Sequence, residues 1–114
     1  MSPKLIFLAV AVLAAAYFMF GKKGDVSSAG ARELVQKGAR LVDVRTRSEF
    51  TEGHLPGALN LPVQDLERRL SELGAKDQPV VLYCRSGQRS ARAARILKAA
   101  GFTAVHDLGS ISNW

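Results

Sequence analysis

Apolar and polar residues are sharply separated at the start of the chain. Residues 5–20 form an unbroken apolar run that is flanked by lysines on both sides. A run of this length lies between the apolar region of a secretory signal and a full membrane span. Its aromatic end, followed by lysines, favours a single-pass membrane anchor in residues 1–24 over a cleaved signal, which would leave a periplasmic or secreted domain. The side of the membrane stays open, and residues 25–114 are expected to form one globular domain.

In the globular part, segments with helical spacing of apolar residues alternate with short apolar runs. The helical spacing predicts helices over residues 29–36, 63–73 and 88–100. The apolar runs predict strands over residues 40–44, 58–61, 79–83 and 103–106. Ser28 is expected to cap the first helix, and Ser48 a short helical turn after the first strand. This alternation predicts an α/β domain, a small parallel β-sheet flanked by helices, preceded by one N-terminal hydrophobic helix.

Charge is distributed unevenly around the one cysteine. The chain has a formal net charge of +6, and no acidic residue occurs between Asp77 and Asp107, where four arginines and a lysine are found. This positive field attracts anions, but the absence of interleaved aromatic residues argues against nucleic-acid binding. One cysteine excludes an intramolecular disulfide and a multi-cysteine metal site, and His54 and His106 have no metal-ligand spacing. We therefore expect no metal and no cofactor.

The position of Cys84 predicts a nucleophile. Cys84 ends a strand with the continuous apolar pattern of a strand covered on both faces, and a loop then leads into a helix. Ligands bind beyond the carboxyl ends of parallel strands, so the thiol lies where a site is expected. Gly87 can adopt the left-handed conformation that turns several N–H groups inward to form an anion-binding nest. Thiols at helix N-termini and beside arginine ionise more readily. We therefore expect a reactive thiolate rather than a buried small hydrophobic residue.

Three arginines near this cysteine are assigned roles from their positions. Arg89 lies in the first turn of a helix, where a cation opposes the helix dipole, and a bound anion would remove that penalty. We therefore expect Arg85 and Arg89 to bind an anion. Arg45 is interpreted as mainly structural and as the partner of Glu49. A substrate contact of Arg45 remains open, because Arg45 also lies on the carboxyl side of the sheet.

Three spaced motifs resemble those of single-domain rhodaneses. They are LVDVR at 41–45 followed by EF at 49–50, GHLPGALNLP at 53–62, and CRSGQRS at 84–90. The resemblance covers about residues 28–114 and implies transfer of sulfane sulfur. The Cys84 thiolate would take sulfur from a donor such as thiosulfate, become a persulfide, and pass the sulfur to a thiol or cyanide.

The resemblance also implies a substrate-binding loop. Its backbone N–H groups would hold the outer sulfur and its arginine side chains would meet the sulfonate of the donor. The loop residues are Arg85, Ser86, Gly87, Gln88 and Arg89. Rhodaneses usually have a Gly-Gly pair before a terminal Trp, whereas this chain has Gly109 and then Ser110. Ser110 is expected to alter the terminal turn and to leave the loop after Cys84 unaffected.

Two other functions remain open. One is a cysteine-based phosphatase or arsenate reductase, and the other is a membrane-tethered, non-catalytic sulfur-carrier or binding module. The segment from Cys84 to Arg89 has the spacing Cys-x4-Arg, whereas the fold-related phosphatases and arsenate reductases use the wider Cys-x5-Arg loop. The cysteine and the two loop arginines disfavour the non-catalytic module. The sequence does not identify the physiological donor, the acceptor or the oligomeric state.

Overall fold

The computed structural model describes residues 24–114, so the predicted anchor lies outside the described residues. Three α-helices are present in this range: α1 (Ser28–Gln36), α2 (Arg47–Glu52) and α3 (Gln88–Ala99). The strands there are β1 (Arg40–Asp43), β2 (Leu59–Asn60), β3 (Val80–Cys84) and β4 (Val105–Ser110). Two 3₁₀ segments cover Val63–Leu73 and Ile111–Asn113. None of the helices in residues 24–114 is both long enough and apolar enough to cross a membrane.

The strands form one parallel sheet in the order β2-β1-β3-β4. Every residue of β3 is buried, as expected for a parallel strand with both faces covered. One face packs against α3 and the long 3₁₀ segment, and the other packs against α1. The predicted fold class is therefore confirmed for the described residues. Because β1 and β3 are neighbours with Asp43 opposite Tyr83, the segments after these strands meet at one edge of the sheet.

Both predicted serine caps are wrong by one or two residues. Ser27 has the extended backbone of an N-cap, and its hydroxyl accepts a hydrogen bond from the Gly30 N–H at 3.0 Å. Helix α2 is capped by Thr46, whose hydroxyl accepts from the Glu49 N–H while the Glu49 carboxylate accepts from the Thr46 N–H. This reciprocal arrangement satisfies two backbone donors that a helix leaves free at its start.

The segment predicted as an amphipathic helix is a 3₁₀ segment with a break at Arg69 (φ −121°, ψ 22°). A 3₁₀ helix repeats every three residues, so side chains three apart share a face. Val63 and Leu66 fit this period, and so do Leu70 and Leu73, but four residues separate the two pairs. The break at Arg69 absorbs the extra residue, and all four side chains pack into or against the core.

Strand β4 begins later and extends further than residues 103–106. Its pairing with β3 shifts by one residue, so that Leu82 lies opposite Asp107 but Tyr83 lies opposite Gly109. Gly109 has a φ of 84°, which a side chain would strain. This irregularity brings Ser110 opposite Cys84. The bulge that Gly109 permits lets the strand continue to Ser110.

Candidate active site

Backbone N–H groups converge on the sulfur of Cys84. The Gly87 N–H donates to Cys84 Sγ at 3.0 Å, and the Ser90 N–H donates at 3.4 Å. Gly87 is in the left-handed conformation (φ 99°, ψ −12°) and precedes the first residue of α3. The predicted left-handed glycine is therefore confirmed. These amides lie at the positive end of the helix dipole, where they favour a negatively charged sulfur.

Cys84 is nevertheless completely buried, with 0% of its surface exposed. It packs with the core on the side of the sheet covered by α3. The expectation that Cys84 would not be a buried small residue is therefore wrong as regards burial, because β3 carries its buried pattern through to its last residue. The sulfur still differs from an ordinary core thiol, since it accepts two backbone hydrogen bonds.

Ser90 also contacts the sulfur, and the sequence interpretation missed it. Cys84 Sγ and Ser90 Oγ are 3.6 Å apart, and the Ser90 hydroxyl donates to the Gly87 carbonyl oxygen at 3.2 Å. Ser90 is completely buried. Ser90 lies one helical turn after Gly87. A polar residue on the otherwise apolar face of this helix was the signal in the sequence that could have identified it.

Arg89 is held by an ion pair that was not predicted. Its guanidinium donates to both carboxylate oxygens of Glu49, at 2.6 and 2.9 Å. Both side chains are partly buried, with 30% of Arg89 and 25% of Glu49 exposed. The bidentate pair lowers the pKa of Glu49 to about 2 and raises the pKa of Arg89. The predicted pairing of Arg45 with Glu49 is wrong, because Arg89 reaches this carboxylate across the site.

Arg45 pairs instead with Asp43, which lies two residues earlier in the chain. Its guanidinium donates to Asp43 Oδ2 at 2.7 Å and to the Gly53 carbonyl oxygen at 2.7 Å. Asp43 is completely buried and Arg45 is 7% exposed. The Asp43 hydrogen bond raises the pKa of Arg45. Arg45 therefore links the end of β1 to the loop that follows α2, which agrees with a mainly structural role.

The remaining residues of the predicted substrate-binding loop are exposed, namely Arg85, Ser86 and Gln88. The Arg85 carbonyl oxygen accepts a hydrogen bond from the Ser110 hydroxyl at 2.7 Å. The expectation that Ser110 would leave this loop unaffected is therefore wrong, because the register shift in β4 places its side chain beside the loop.

His54 is bound within its own loop. Its Nδ1 lies 2.9 Å from the Phe50 carbonyl oxygen, and its ring stacks on that of Phe50 at 3.7 Å. The same loop is fixed to the sheet by Tyr83, whose hydroxyl accepts from the Leu55 N–H at 3.1 Å. Burial raises the pKa of Tyr83. These contacts fix the loop that follows α2 against the end of β3.

A comparison with family models matches residues 27–114 to the rhodanese-like domain. The chain belongs to the rhodanese-like domain family. The match includes every residue of the site described above, from Asp43 to Ser110.

Curated proteins and solved structures similar to this rhodanese-like domain include named sulfurtransferases. The uncharacterized protein YqhL of Bacillus subtilis is 43% identical over 77 residues, covering 67% of this chain and 60% of YqhL. A sulfurtransferase of Allochromatium vinosum is 45% identical over 75 residues, covering 65% of this chain and 69% of that protein. The structure of the human single-domain sulfurtransferase TSTD1 has a TM-score of 0.70 and 33% identity, covering 78% of this chain and 92% of that chain.

A depression of about 330 Å³ opens beside the loop that follows Cys84 in this rhodanese-like domain. Its lining residues are Arg45, Glu49, Glu52, Gly53, Arg85 and Ile111. The lining contains two cations and two carboxylates, so their formal charges cancel. The local positive field expected from the sequence is therefore balanced at this opening by acidic residues from α2.

Proposed function

We propose that this chain is a sulfurtransferase that moves sulfane sulfur from a donor such as thiosulfate to a thiophilic acceptor through a Cys84 persulfide. The observation that supports this most directly is the convergence of the Gly87 and Ser90 N–H groups on Cys84 Sγ, at 3.0 and 3.4 Å. Such donors stabilise a thiolate, and they can also stabilise charge on an added sulfur. The sulfurtransferase names of similar proteins agree with this chemistry.

The first half of the reaction transfers one sulfur atom. The Cys84 thiolate attacks the outer sulfur of thiosulfate, forming a Cys84–sulfur bond while the sulfur–sulfur bond of the donor breaks. Sulfite leaves with the electron pair, and the charge on the two sides is equal. In the second half, a thiolate or cyanide attacks the outer sulfur of the persulfide, and the Cys84 thiolate leaves. This is two-step covalent catalysis.

Because Cys84 has no exposed surface, the reaction requires the cysteine loop, residues 84–89, to move. Exposed residues at the outer side of this loop, Arg85, Ser86 and Gln88, can move without breaking core packing. A displacement of the loop would join the sulfur to the depression lined by Arg45 and Arg85. Loop motions of this kind commonly admit substrate and exclude water during the reaction.

The test is the intact mass of the protein after exposure to thiosulfate. We expect a gain of one sulfur atom that is lost when cyanide is added. The chain has one cysteine, so Cys84→Ser must abolish both the mass gain and thiocyanate release. Ser71→Ala is the matched control, because Ser71 is an exposed serine of the long 3₁₀ segment. Wild-type turnover by Cys84→Ser would exclude the mechanism.

The same measurements separate the alternatives. A phosphatase or arsenate reductase would hydrolyse p-nitrophenyl phosphate or reduce arsenate without a stable sulfur adduct. A non-catalytic carrier would gain sulfur from a persulfidated partner but would not turn over thiosulfate repeatedly. We favour sulfur transfer over phosphate chemistry because the segment from Cys84 to Arg89 has the spacing Cys-x4-Arg, which is shorter than the Cys-x5-Arg loop of the phosphatases and arsenate reductases.

We also propose that residues 5–20 anchor the domain to a membrane. The unbroken apolar run and its flanking lysines support this anchor. Membrane fractionation followed by an alkaline wash tests it, since a single-pass protein stays in the pellet and a peripheral protein does not. The N-terminal sequence of the mature protein shows whether the segment has been cleaved. Recovery in the soluble fraction with residues 1–24 intact would exclude the anchor.

A further inference from the structure

The carboxylate of Glu49 is bound to the guanidinium of Arg89, the cationic group that an anionic donor would need. Glu49 accepts two hydrogen bonds from the Arg89 guanidinium and two from Thr46, one from its N–H and one from its hydroxyl. Because Glu49 belongs to the capping box of α2, its position is fixed by that helix as well as by Arg89. A sulfonate can reach Arg89 only by displacing an internal carboxylate that is already well bound.

The remaining charges at the opening do not favour a dianion. Arg45 is held by Asp43, and Glu52 contributes a further exposed carboxylate to the same depression. Among residues 24–114, Arg85 is the lining cation that forms no ion pair with an acidic residue. One free cation matches one negative charge on the donor better than it matches two.

We infer that Glu49 is a specificity-determining residue that selects sulfane-sulfur donors carrying one negative charge, such as thiosulfonates and persulfides, over dianionic thiosulfate. This inference rests on the proposed sulfurtransferase function and narrows its donor class. Glu49 acts by withholding Arg89 from the second charge of the donor. Repulsion between Glu49 itself and a dianion acts in the same direction.

The transfer from such a donor is balanced. The Cys84 thiolate attacks the terminal sulfur of a persulfide anion, the sulfur–sulfur bond of the donor breaks, and a thiolate leaves with the electron pair. With a thiosulfonate, the leaving group is a sulfinate. Each side of either equation carries two negative charges, and no oxidant or reductant is needed.

Glu49→Gln isolates the charge of this residue. Glutamine also serves in a capping box, so α2 keeps its reciprocal hydrogen bonds with Thr46. The variant loses the ion pair with Arg89 and frees that guanidinium. Glu67→Gln is the matched control, since it removes one exposed carboxylate of the long 3₁₀ segment that does not line the depression.

The test compares kcat/KM for thiosulfate and for methanethiosulfonate, a donor of similar shape in which a methyl group replaces one charged oxygen. Relative to wild type, Glu49→Gln should raise the ratio of kcat/KM for thiosulfate to kcat/KM for methanethiosulfonate by about fivefold, mainly by lowering the thiosulfate KM. Glu67→Gln should change that ratio by less than about twofold, because exposed charges outside the site are screened. An unchanged ratio in Glu49→Gln, or equal losses with both donors, would overturn the inference.

A binding measurement keeps the two proposals distinguishable. If wild-type protein accepts sulfur from neither donor, the proposed function fails. The role of Glu49 is then still decided by calorimetric titration of thiosulfate into Cys84→Ser and into Cys84→Ser combined with Glu49→Gln. Tighter thiosulfate binding by the double variant supports the inference, and equal or weaker binding refutes it.

Discussion

Replacing Ser110 with alanine tests whether the end of β4 holds the cysteine loop in place. The Arg85 carbonyl can only accept a hydrogen bond, so the Ser110 hydroxyl donates its one proton there, at 2.7 Å. The lone pairs of Ser110 Oγ then accept from the Ser112 N–H at 3.2 Å and from the Ser112 hydroxyl at 2.7 Å. One buried hydroxyl therefore connects the loop to the terminal turn.

The expected loss of stability is about 1 kcal/mol. A hydrogen bond between neutral groups contributes about 1 kcal/mol net, and more if its partner stays buried and unsatisfied. Ser112 and Arg85 are exposed, so water can replace Ser110 as their partner. Ser110 has an ordinary extended backbone (φ −70°, ψ 142°), so alanine adds no strain. For a domain of this size, 1 kcal/mol lowers Tm by roughly 4–8 °C.

The assay pairs thermal unfolding with the rate at which iodoacetamide alkylates Cys84. In Ser110→Ala, the Arg85–Ser86 peptide loses the contact that fixes its orientation, so alkylation should accelerate as the loop opens more often. Ser110→Thr keeps the hydroxyl and should behave like wild type in alkylation. Ser112→Ala removes a donor to Ser110 but leaves the bond to Arg85, and it should affect the terminal turn alone.

Two results would refute this reasoning. If Ser110→Ala unfolds at the wild-type temperature, the hydrogen bond to Arg85 contributes nothing. If it is destabilised but alkylates at the wild-type rate, Ser110 stabilises the terminal turn without holding the loop.

Three further variants test other parts of the site. The pKa of Glu49 is lowered from 4.5 to about 2, so its ion pair stabilises fully above about pH 4.5 and is lost as pH falls towards 2. A quarter of Glu49 is exposed, so water screens the pair. Between pH 5 and 3, the free energy of unfolding of Glu49→Gln in urea titrations should therefore fall by about 1 kcal/mol less than that of wild type. Gly87→Ala, at φ 99°, should lower the free energy of unfolding by about 1–2 kcal/mol and should slow sulfur transfer. Gly38→Ala, at φ 102° in open space, should lower the free energy of unfolding as much and leave sulfur transfer intact. Asp43→Ala leaves Arg45 as a buried unpaired cation and should cost about 3 kcal/mol in the same denaturation assay; a cost below about 1 kcal/mol would show that Arg45 reaches water instead.

The fold could be predicted because its signals are local. The continuous apolar run of β3 and the alternation of strands and helices determine a parallel sheet with both faces covered. The cysteine position and the left-handed Gly87 follow from the same reasoning, since the site of a parallel sheet lies after its strands. These features depend on periodicity and on backbone geometry, which a single sequence carries.

The partners of the charged side chains could not be predicted, because they depend on register. Arg45 and Glu49 are close in sequence, yet Glu49 forms its ion pair with Arg89, forty residues further along the chain. Ser110 reaches the loop only because β4 shifts its pairing by one residue at Gly109. The burial of Cys84 likewise depends on how closely the loop folds over β3. Long-range contacts of this kind are decided by packing and not by local pattern.

These contacts share one consequence for the reaction. In the described structure, three reactive or cationic groups of the site already have internal partners: Cys84 has two backbone amides, Arg89 has Glu49, and Arg45 has Asp43. Substrate binding therefore exchanges internal hydrogen bonds for new ones, and only the difference between them contributes to affinity. The exchange is smallest for a donor that leaves Glu49 on Arg89 and uses the loop amides and Arg85, which is a donor with a single negative charge.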